Sequence, residues 1–218
     1  MATDAKNTWC FGKESVEAAI AAIGRGELVI VVDDEDRENE GDLIMAAEKA
    51  SKETIAFMIK YTSGVLCCAL ESARAEALEL PQMVTKNEDA KCTAFTVSVD
   101  LHVAKGITTG ISASDRAATL RALAAPTTTA RDLTRPGHIF PLRAVEGGVL
   151  KRDGHTEATV DLARMAGLAP AGVLCEIVTE DCSEMMRAPE LKIFAAKHKL
   201  VLTSIQDMIM YRKETGKY

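Results

Sequence analysis

The acidic segment 33–42 is the densest group of residues that could do chemistry, and it reads Asp-Asp-Glu-Asp-Arg-Glu-Asn-Glu-Gly-Asp. It holds seven of the 32 acidic residues and directly follows the apolar run 27–32. Like charges packed this closely raise the free energy of the folded chain unless water, Arg37 or a cation offsets them. The carboxylates suit a hard, oxygen-seeking ion such as Mg²⁺, which needs only one or two of them. A solvated acidic turn is the alternative interpretation. An EF-hand fits poorly, because Ala47 stands where the twelfth-position Glu belongs.

The second group is the stretch 152–157, Arg-Asp-Gly-His-Thr-Glu, which opens a predicted helix. The free N–H groups and the positive dipole end of a helix N-terminus favour a phosphate. Arg152 can bind such a group through two hydrogen bonds, and Gly154 lets the backbone approach it closely. His155 can act as a neutral imidazole ligand of a metal ion. The alternative is an ordinary helix cap without a ligand.

Two further polar positions are candidates for proton transfer. His138 ends the turn Arg-Pro-Gly-His and is one of only four histidines, although a histidine in a surface turn is often inert. Glu176 interrupts the apolar run 172–178, where a carboxylate is costly unless it has a partner or a task. The alternative for Glu176 is a position on an edge strand that faces water.

Interleaved helices and strands must position these groups. Apolar periodicity predicts helices over 13–23, 51–61, 71–80, 114–124, 156–166 and 191–198, and from 205 onward. Strand-like runs cover 27–32, 43–47, 65–70, 93–100, 139–144, 172–179 and 200–203. We expect Gly24 to end the first helix and Ser51 and Ser114 to cap later ones. The Pro- and Gly-containing stretch 126–154 is otherwise predicted to form long loops.

The length, composition and charge of the chain limit the classes of protein to which it can belong. The chain has 218 residues, of which 47% are hydrophobic and 27% charged, so we expect one domain over 1–218 with a flexible N-terminus at 1–12. A net charge of −6 argues against nucleic acid as a partner, and no apolar run reaches the ~18 residues that span a membrane. The cysteine spacing fits neither a zinc site nor a disulfide framework, and no secretory signal is visible. We therefore expect a cytoplasmic protein with reduced thiols.

Several common motifs are absent from the sequence. It contains no P-loop, no Gly-x-Gly-x-x-Gly dinucleotide fingerprint and no Gly-x-Ser-x-Gly elbow. The remaining groups are carboxylates, two histidines and a helix start suited to phosphate. They favour metal-assisted proton transfer on a small phosphorylated compound over acyl or hydride transfer.

Four motifs then occur in a characteristic order: the acidic segment 33–42, residues 106–116 (Gly-Ile-Thr-Thr-Gly-Ile-Ser-Ala-Ser-Asp-Arg), 135–138 and 152–158. Together they resemble the 3,4-dihydroxy-2-butanone 4-phosphate synthase family of riboflavin biosynthesis, from about residue 15 to the C-terminus. The resemblance implies an α+β fold, a single-domain three-layer α/β/α sandwich around a mixed β-sheet. It also implies a homodimer and a chain that carries this activity alone.

The implied activity is that of a lyase, which converts the sugar phosphate D-ribulose 5-phosphate to L-3,4-dihydroxy-2-butanone 4-phosphate and formate with Mg²⁺, or alternatively Mn²⁺. By the resemblance, Glu38 and His155 bind the metal, and His138 and Glu176 are catalytic. The implied substrate-binding residues are Arg37, Glu38, Asp42, Thr93, Arg152, Asp153, Gly154, His155, Thr156 and Glu176.

Three other functions remain open at this point. The chain could be another metal-assisted sugar-phosphate isomerase or lyase, which would release no formate. It could be a non-enzymatic protein that binds an anion at 152–156, and such binding would survive chelation of metals. A calcium-binding interaction module is disfavoured by the missing twelfth-position carboxylate.

Overall fold

The computed structural model describes residues 8–217, and within them one mixed sheet of seven strands forms the centre of the molecule. The strands are β1 (Val29–Val32), β2 (Gly41–Ala46), β3 (Cys67–Glu71), β4 (Val99–Leu101), β5 (Leu133–Ala144), β6 (Ala171–Glu176) and β7 (Val201–Ser204). Their order across the sheet is β4-β5-β3-β6-β2-β1-β7. The pairs β1/β7 and β3/β5 are parallel and the other neighbours are antiparallel.

Helices cover both faces of this sheet. They are α1 (Lys13–Arg25), α2 (Lys52–Tyr61), α3 (Ser72–Ala77), α4 (Ala113–Ala124), α5 (His155–Met165), α6 (Ala188–His198) and α7 (Ile205–Thr215). Helices α1, α5 and α7 pack against one another on one face. On the other face α2 contacts α4, and the rings of Phe57 and Tyr61 meet Phe194 of α6. The predicted three-layer α/β/α sandwich around a mixed sheet is confirmed.

The central strands are buried on both faces, as expected for a sheet covered by two helical layers. Every residue of β1 and β2 is buried, including the carboxylate-bearing Asp42. Because aromatic residues make up only 4% of the chain, the core consists mainly of aliphatic side chains such as Ile30, Leu43 and Met45. Asp42 is therefore held in surroundings that penalise an unpaired charge.

Two helix boundaries differ from the sequence-based expectation. Helix α1 continues through Gly24 and ends at Gly26, whose φ of 82° is the left-handed conformation typical of a helix C-terminus. Helix α4 is capped by Ser112 rather than Ser114, because the Ser112 hydroxyl accepts the amide of Asp115 at 3.0 Å. The predicted N-cap at Ser51 is confirmed by a capping box with Thr54.

The stretch predicted as long loops contains the longest strand of the sheet. Strand β5 pairs with β3 along its second half and with β4 along its first half, where the register shifts. A Cβ at Gly137 would lie only 2.0 Å from the backbone carbon of Val99, so a glycine permits this close approach. The predicted strand at 93–100 is reduced to β4 and isolated bridges at Phe95 and Thr96.

The sequence predicts a flexible N-terminus over residues 1–12, of which 1–7 lie outside the described residues. The backbone amides of Cys10 and Phe11 donate to the buried carboxylate of Asp207 at 2.6 and 2.9 Å. Among residues 8–217, no helix is both long and apolar enough to cross a bilayer.

The assignment of the α4 cap can be tested with a matched pair of variants. Ser112→Ala removes the hydroxyl that accepts the Asp115 amide, so we expect the free energy of unfolding to fall by about 1 kcal/mol. Ser114→Ala lies two residues further on at an exposed position and should change it by less than ~0.5 kcal/mol. Urea denaturation of both variants measures the difference. Equal losses, or a larger loss from Ser114→Ala, would contradict the assignment.

Candidate functional site

The segment between β1 and β2, residues 33–40, forms a closed turn that we call the acidic loop. One oxygen of the Asp33 carboxylate accepts the amide of Glu40 at 2.8 Å. The other accepts the amide of Glu38 and the guanidinium of Arg37, both at 3.0 Å. The Asp33 side chain is fully buried. The first acidic residue of the motif therefore organises the loop from within, and the loop is not a simple solvated turn.

Beside this loop, α5 begins with the buried imidazole of His155. Its Nε2 lies 3.2 Å from the carbonyl oxygen of Val31, which can only accept a hydrogen bond, so Nε2 carries a proton. The other ring nitrogen, Nδ1, lies 3.6 Å from Glu38 Oε2 and 4.0 Å from Asp42 Oδ1. Anchoring one ring nitrogen on a backbone carbonyl while the other faces carboxylates is typical of a metal-binding histidine.

The charges in this cluster perturb one another strongly. Burial alone would lower the pKa of His155, but the carboxylates of Asp42, Glu38 and Asp33 outweigh it and raise that pKa to about 9. The contact with His155 overcomes burial and lowers the pKa of Glu38 to about 2. Burial raises the pKa of Asp42 to about 7, although the charge of His155 opposes this shift. Burial, with the charges of Glu38 and Glu176, also raises the pKa of Glu40.

The cluster has the donor set of a site for a hard divalent cation. Asp33, Glu38 and His155 each offer a ligand atom, and these atoms lie within 4.8 Å of one another. Asp42 Oδ1 is buried and has no hydrogen-bond partner among the described residues. Because the oxygens of Asp33 already accept loop amides, Glu38 and His155 are the better ligands. Carboxylate oxygen and imidazole nitrogen fit Mg²⁺ or Mn²⁺.

Strand register brings a second carboxylate to the same place. Asp42 of β2 is directly opposite Glu176, the last residue of β6. The hydroxyl of Ser63 donates to Glu176 Oε2 at 2.7 Å, and the Ser63 amide donates to the Glu176 carbonyl at 2.9 Å. Glu176 is thus partnered and half-buried, and it does not face open water on an edge strand.

In the stretch before α5, the guanidinium of Arg152 lies close to the backbone of Gly154. Arg152 Nη1 donates to the buried Glu157 carboxylate at 2.6 Å, and Nη2 donates to the carbonyl of Lys91 at 3.1 Å. A Cβ at Gly154 would lie 2.2 Å from Arg152 Nη1. Gly154 is therefore needed so that the guanidinium can fold back toward the start of the helix.

A cavity of about 160 Å³ joins these groups. Its polar wall contains most of the residues predicted from sequence, namely Arg37, Glu38, Asp42, Thr93, Arg152, His155, Thr156 and Glu176. Asp153 and Gly154 adjoin it in sequence, and Asp153 lines a larger open cleft of about 1100 Å³ that the acidic loop also lines. The structure therefore brings most of the predicted site residues together within one chain.

His138 lies elsewhere. Its Nδ1 is 2.7 Å from Asp100 Oδ2, its amide donates to Asp100 Oδ1 at 2.9 Å, and its side chain is 41% exposed. A strand rises about 3.3 Å per residue, so His138 lies roughly 13 Å along β5 from Leu142, which lines the cavity. His138 lines neither of these two cavities.

Some residues of the site were not predicted. Glu40, Cys67, Phe95, Leu142 and Leu174 line the cavity, and Asp33 organises the loop. The position of Asp33, at the exact point where a buried strand ends, could have indicated its role. No local sequence pattern predicts the apolar wall, because long-range pairing assembles it: β3 with β5 and β6, and Phe95 with Leu142.

Comparison with known proteins agrees with this geometry. A family model described as 3,4-dihydroxy-2-butanone 4-phosphate synthase matches residues 17–211. Riboflavin biosynthesis protein RibBA of Rhodococcus jostii is 58% identical over 206 residues, which are 94% of this chain and 49% of that protein. RibBA of Mycobacterium tuberculosis is 57% identical over 206 residues, 94% of this chain and 48% of that protein. The chain spans about half the length of the curated relatives it matches.

Two solved structures are similar over most of the chain. One is a crystal structure of 3,4-dihydroxy-2-butanone 4-phosphate synthase in complex with two magnesium ions, with a TM-score of 0.87 and 47% identity over 93% of this chain and 99% of that one. The other is RibBX, a two-domain synthase from A. baumannii, with a TM-score of 0.86 and 48% identity over 92% of this chain and 58% of that one. Since the matched residues take in all seven strands and all the residues of the cavity, the chain belongs to the 3,4-dihydroxy-2-butanone 4-phosphate synthase family.

Proposed function

We propose that this protein converts D-ribulose 5-phosphate to L-3,4-dihydroxy-2-butanone 4-phosphate and formate in riboflavin biosynthesis, with Mg²⁺ or alternatively Mn²⁺. Family membership supports the reaction. The observation that carries it to this cavity is the buried Asp42 Oδ1, which has no hydrogen-bond partner within residues 8–217 and faces His155 beside Glu38. A buried carboxylate oxygen without a partner is costly unless a ligand completes its contacts.

The chemistry of the substrate calls for acids and bases on several sides. Its ketone is flanked by carbons that bear hydroxyl groups, so the reaction begins by removing a proton next to the carbonyl. Loss of a hydroxyl, a skeletal rearrangement and release of formate require further proton transfers. Asp42 and Glu176 stand side by side at the ends of antiparallel strands, and Glu176 is held by Ser63. We assign Glu176 to proton transfer and Asp42 to the substrate hydroxyls.

Glu38 and His155 would hold the divalent ion. When bound, the ion supplies Lewis-acid stabilisation of the negative charge that develops on the ketose oxygens. Arg37 contacts Glu38 and Asp33, which orients the Glu38 carboxylate and offsets part of the negative charge. A relative of similar fold that binds two magnesium ions supports this assignment.

The phosphate would lie at the start of α5. Thr156 and the free amides at this helix N-terminus are suited to an anion, and Arg152 lies beside them. Glu157 already holds the guanidinium of Arg152 in place, and the phosphate would bind to this same guanidinium. Asp153 and Gly154 belong to the same turn, and Thr93 lines the same cavity as Arg152 and Thr156.

We further propose a cytoplasmic homodimer in which His138 of one chain reaches the cavity of its partner. This arrangement would reconcile a catalytic His138 with its position outside the cavity of its own chain. Asp100 orients the half-exposed His138 ring. Val103 and Ile111, which are 61% and 50% exposed, belong to the segment in which Gly110 packs against Asp100. Exposed apolar side chains of this kind are typical of an interface.

The proposed reaction predicts release of formate from ribulose 5-phosphate in the presence of Mg²⁺. Removing the ion with EDTA should lower the rate by at least about 100-fold, because Lewis-acid stabilisation contributes several kcal/mol. Adding Mg²⁺ in excess of the chelator should restore the rate, which a coupled formate assay measures. Consumption of ribulose 5-phosphate without formate would favour another isomerase or lyase. Binding of the substrate without turnover would favour an anion-binding protein.

The shared site predicts complementation between inactive chains. Glu176→Gln and His138→Ala should each lower kcat by about 100-fold or more, because each removes a proton-transfer group. A heterodimer purified through two different tags has one site with both groups intact, so about half of the wild-type activity should return. A doubly tagged dimer of Glu176→Gln with itself is the control and should stay inactive. Heterodimers no more active than their parents would contradict a site shared between subunits.

A further inference from the structure

The acidic loop is held from outside as well as from within. Asp33 accepts the loop amides from within. In addition, two positively charged side chains from distant parts of the chain donate to the loop carbonyls. Lys91 Nζ donates to the carbonyl of Arg37 at 2.9 Å. Arg187 Nη1 donates to the carbonyls of Glu38 and Asn39 at 2.9 and 2.6 Å.

From these contacts we propose that Arg187 is a positioning residue for the cation site, because it fixes the Glu38–Asn39 peptide and thereby aims the Glu38 carboxylate at His155. The inference rests on the proposed function in assigning Glu38 and His155 to the cation. Arg187 contacts only the backbone of Glu38 and does not itself line the cavity.

The loop conformation at this point needs external support. Asn39 has a φ of 57°, in the left-handed region that non-glycine residues seldom adopt. Nη1 of Arg187 donates to two successive carbonyl oxygens, those of Glu38 and Asn39. The same nitrogen lies 3.8 Å from Glu40 Oε1, so its charge also offsets part of the repulsion within the loop. Loss of this bridge would leave the two carbonyls to water and widen the range of loop conformations.

Arg187 is itself fixed by the fold. It precedes α6, and its backbone amide donates to Glu190 Oε2 at 3.1 Å. Leu191 of the same helix packs so closely on Gly41 that a Cβ there would lie 2.5 Å from Leu191 Cδ1. The start of α6 is thus tied to the start of β2, immediately after the acidic loop. A rigid helix start can transmit a fixed position to the loop through one side chain.

The experiment compares Arg187→Ala with Arg187→Lys, and uses Glu190→Ala as a matched control. Glu190→Ala removes the helix-capping contact but leaves the Arg187 side chain in place. Electron paramagnetic resonance titration of Mn²⁺ reports the affinity of the site without turnover. Hydrogen exchange of peptides covering 33–40 reports loop order without a metal.

We expect Arg187→Ala to weaken Mn²⁺ binding by about 10-fold, the usual effect of losing a residue that orients a metal ligand. Exchange of the Glu38 and Glu40 amides should become faster. Arg187→Lys should recover part of both effects, since Lys91 shows that an ammonium can bind a loop carbonyl. Glu190→Ala keeps the guanidinium that binds the two loop carbonyls, so it should lower thermal stability but change both readouts much less than Arg187→Ala does.

Unchanged exchange and Mn²⁺ affinity in Arg187→Ala, or equal changes in Glu190→Ala, would overturn the role of Arg187. A Glu38→Gln variant tests the proposed cation site separately. If Glu38→Gln bound Mn²⁺ as tightly as the wild type, the assignment of Glu38 would fall. Even in that case, faster hydrogen exchange in Arg187→Ala would show that Arg187 holds the acidic loop. Unchanged exchange would overturn this role of Arg187 too.

Discussion

Negative charge at the ends of β1, β2 and β6 is the constraint on which the rest of the site depends. Glu38, Glu40, Asp42 and Glu176 converge on one cavity around a single buried imidazole. Charges this close repel one another strongly where burial removes water. The protein offsets the repulsion in the cation-free state with a proton on His155, and with arginine contacts at the rim. A divalent cation supplies two positive charges at the same point, which is why the cavity suits one.

The fold places these charges by strand register and helix position. Antiparallel pairing sets Asp42 opposite Glu176, and a shift of one residue in either strand would turn its carboxylate to the other face of the sheet, away from its partner. His155 is in place because α5 starts above the end of β1, where the Val31 carbonyl anchors the ring. Two buried contacts, Asp33 with the loop amides and Arg152 with Glu157, then fix the segments that flank the cavity. The chemistry of the site thus follows from backbone geometry that the core holds rigid.

Much of this arrangement could be predicted from the sequence, because local patterns carry it. The acidic motif, the start of α5 and Glu176 were each visible as polar residues at the ends of apolar runs. Long-range pairing was not visible: Pro136 and Gly137 suggested loops, yet they lie in β5, which two neighbouring strands hold in place. For the same reason the sequence could not show that His138 lies apart from the cavity, or that Arg187 reaches back to the acidic loop.

Calorimetric titration of Mg²⁺ at pH 7, in two buffers of different ionisation enthalpy, tests the central claim that the cation replaces the proton on His155. Because the pKa of His155 is about 9 without the cation, the imidazole is protonated at pH 7 and must lose that proton to become a ligand. We predict release of at least one proton per bound ion, because Asp42, whose pKa is about 7, adds to the proton from His155. The affinity should rise with pH until both groups have lost their protons. His155→Asn should remove the share of this release that comes from the imidazole and leave only the share that comes from Asp42. Tight binding of Mg²⁺ with no proton released, or equal release from His155→Asn, would contradict the account.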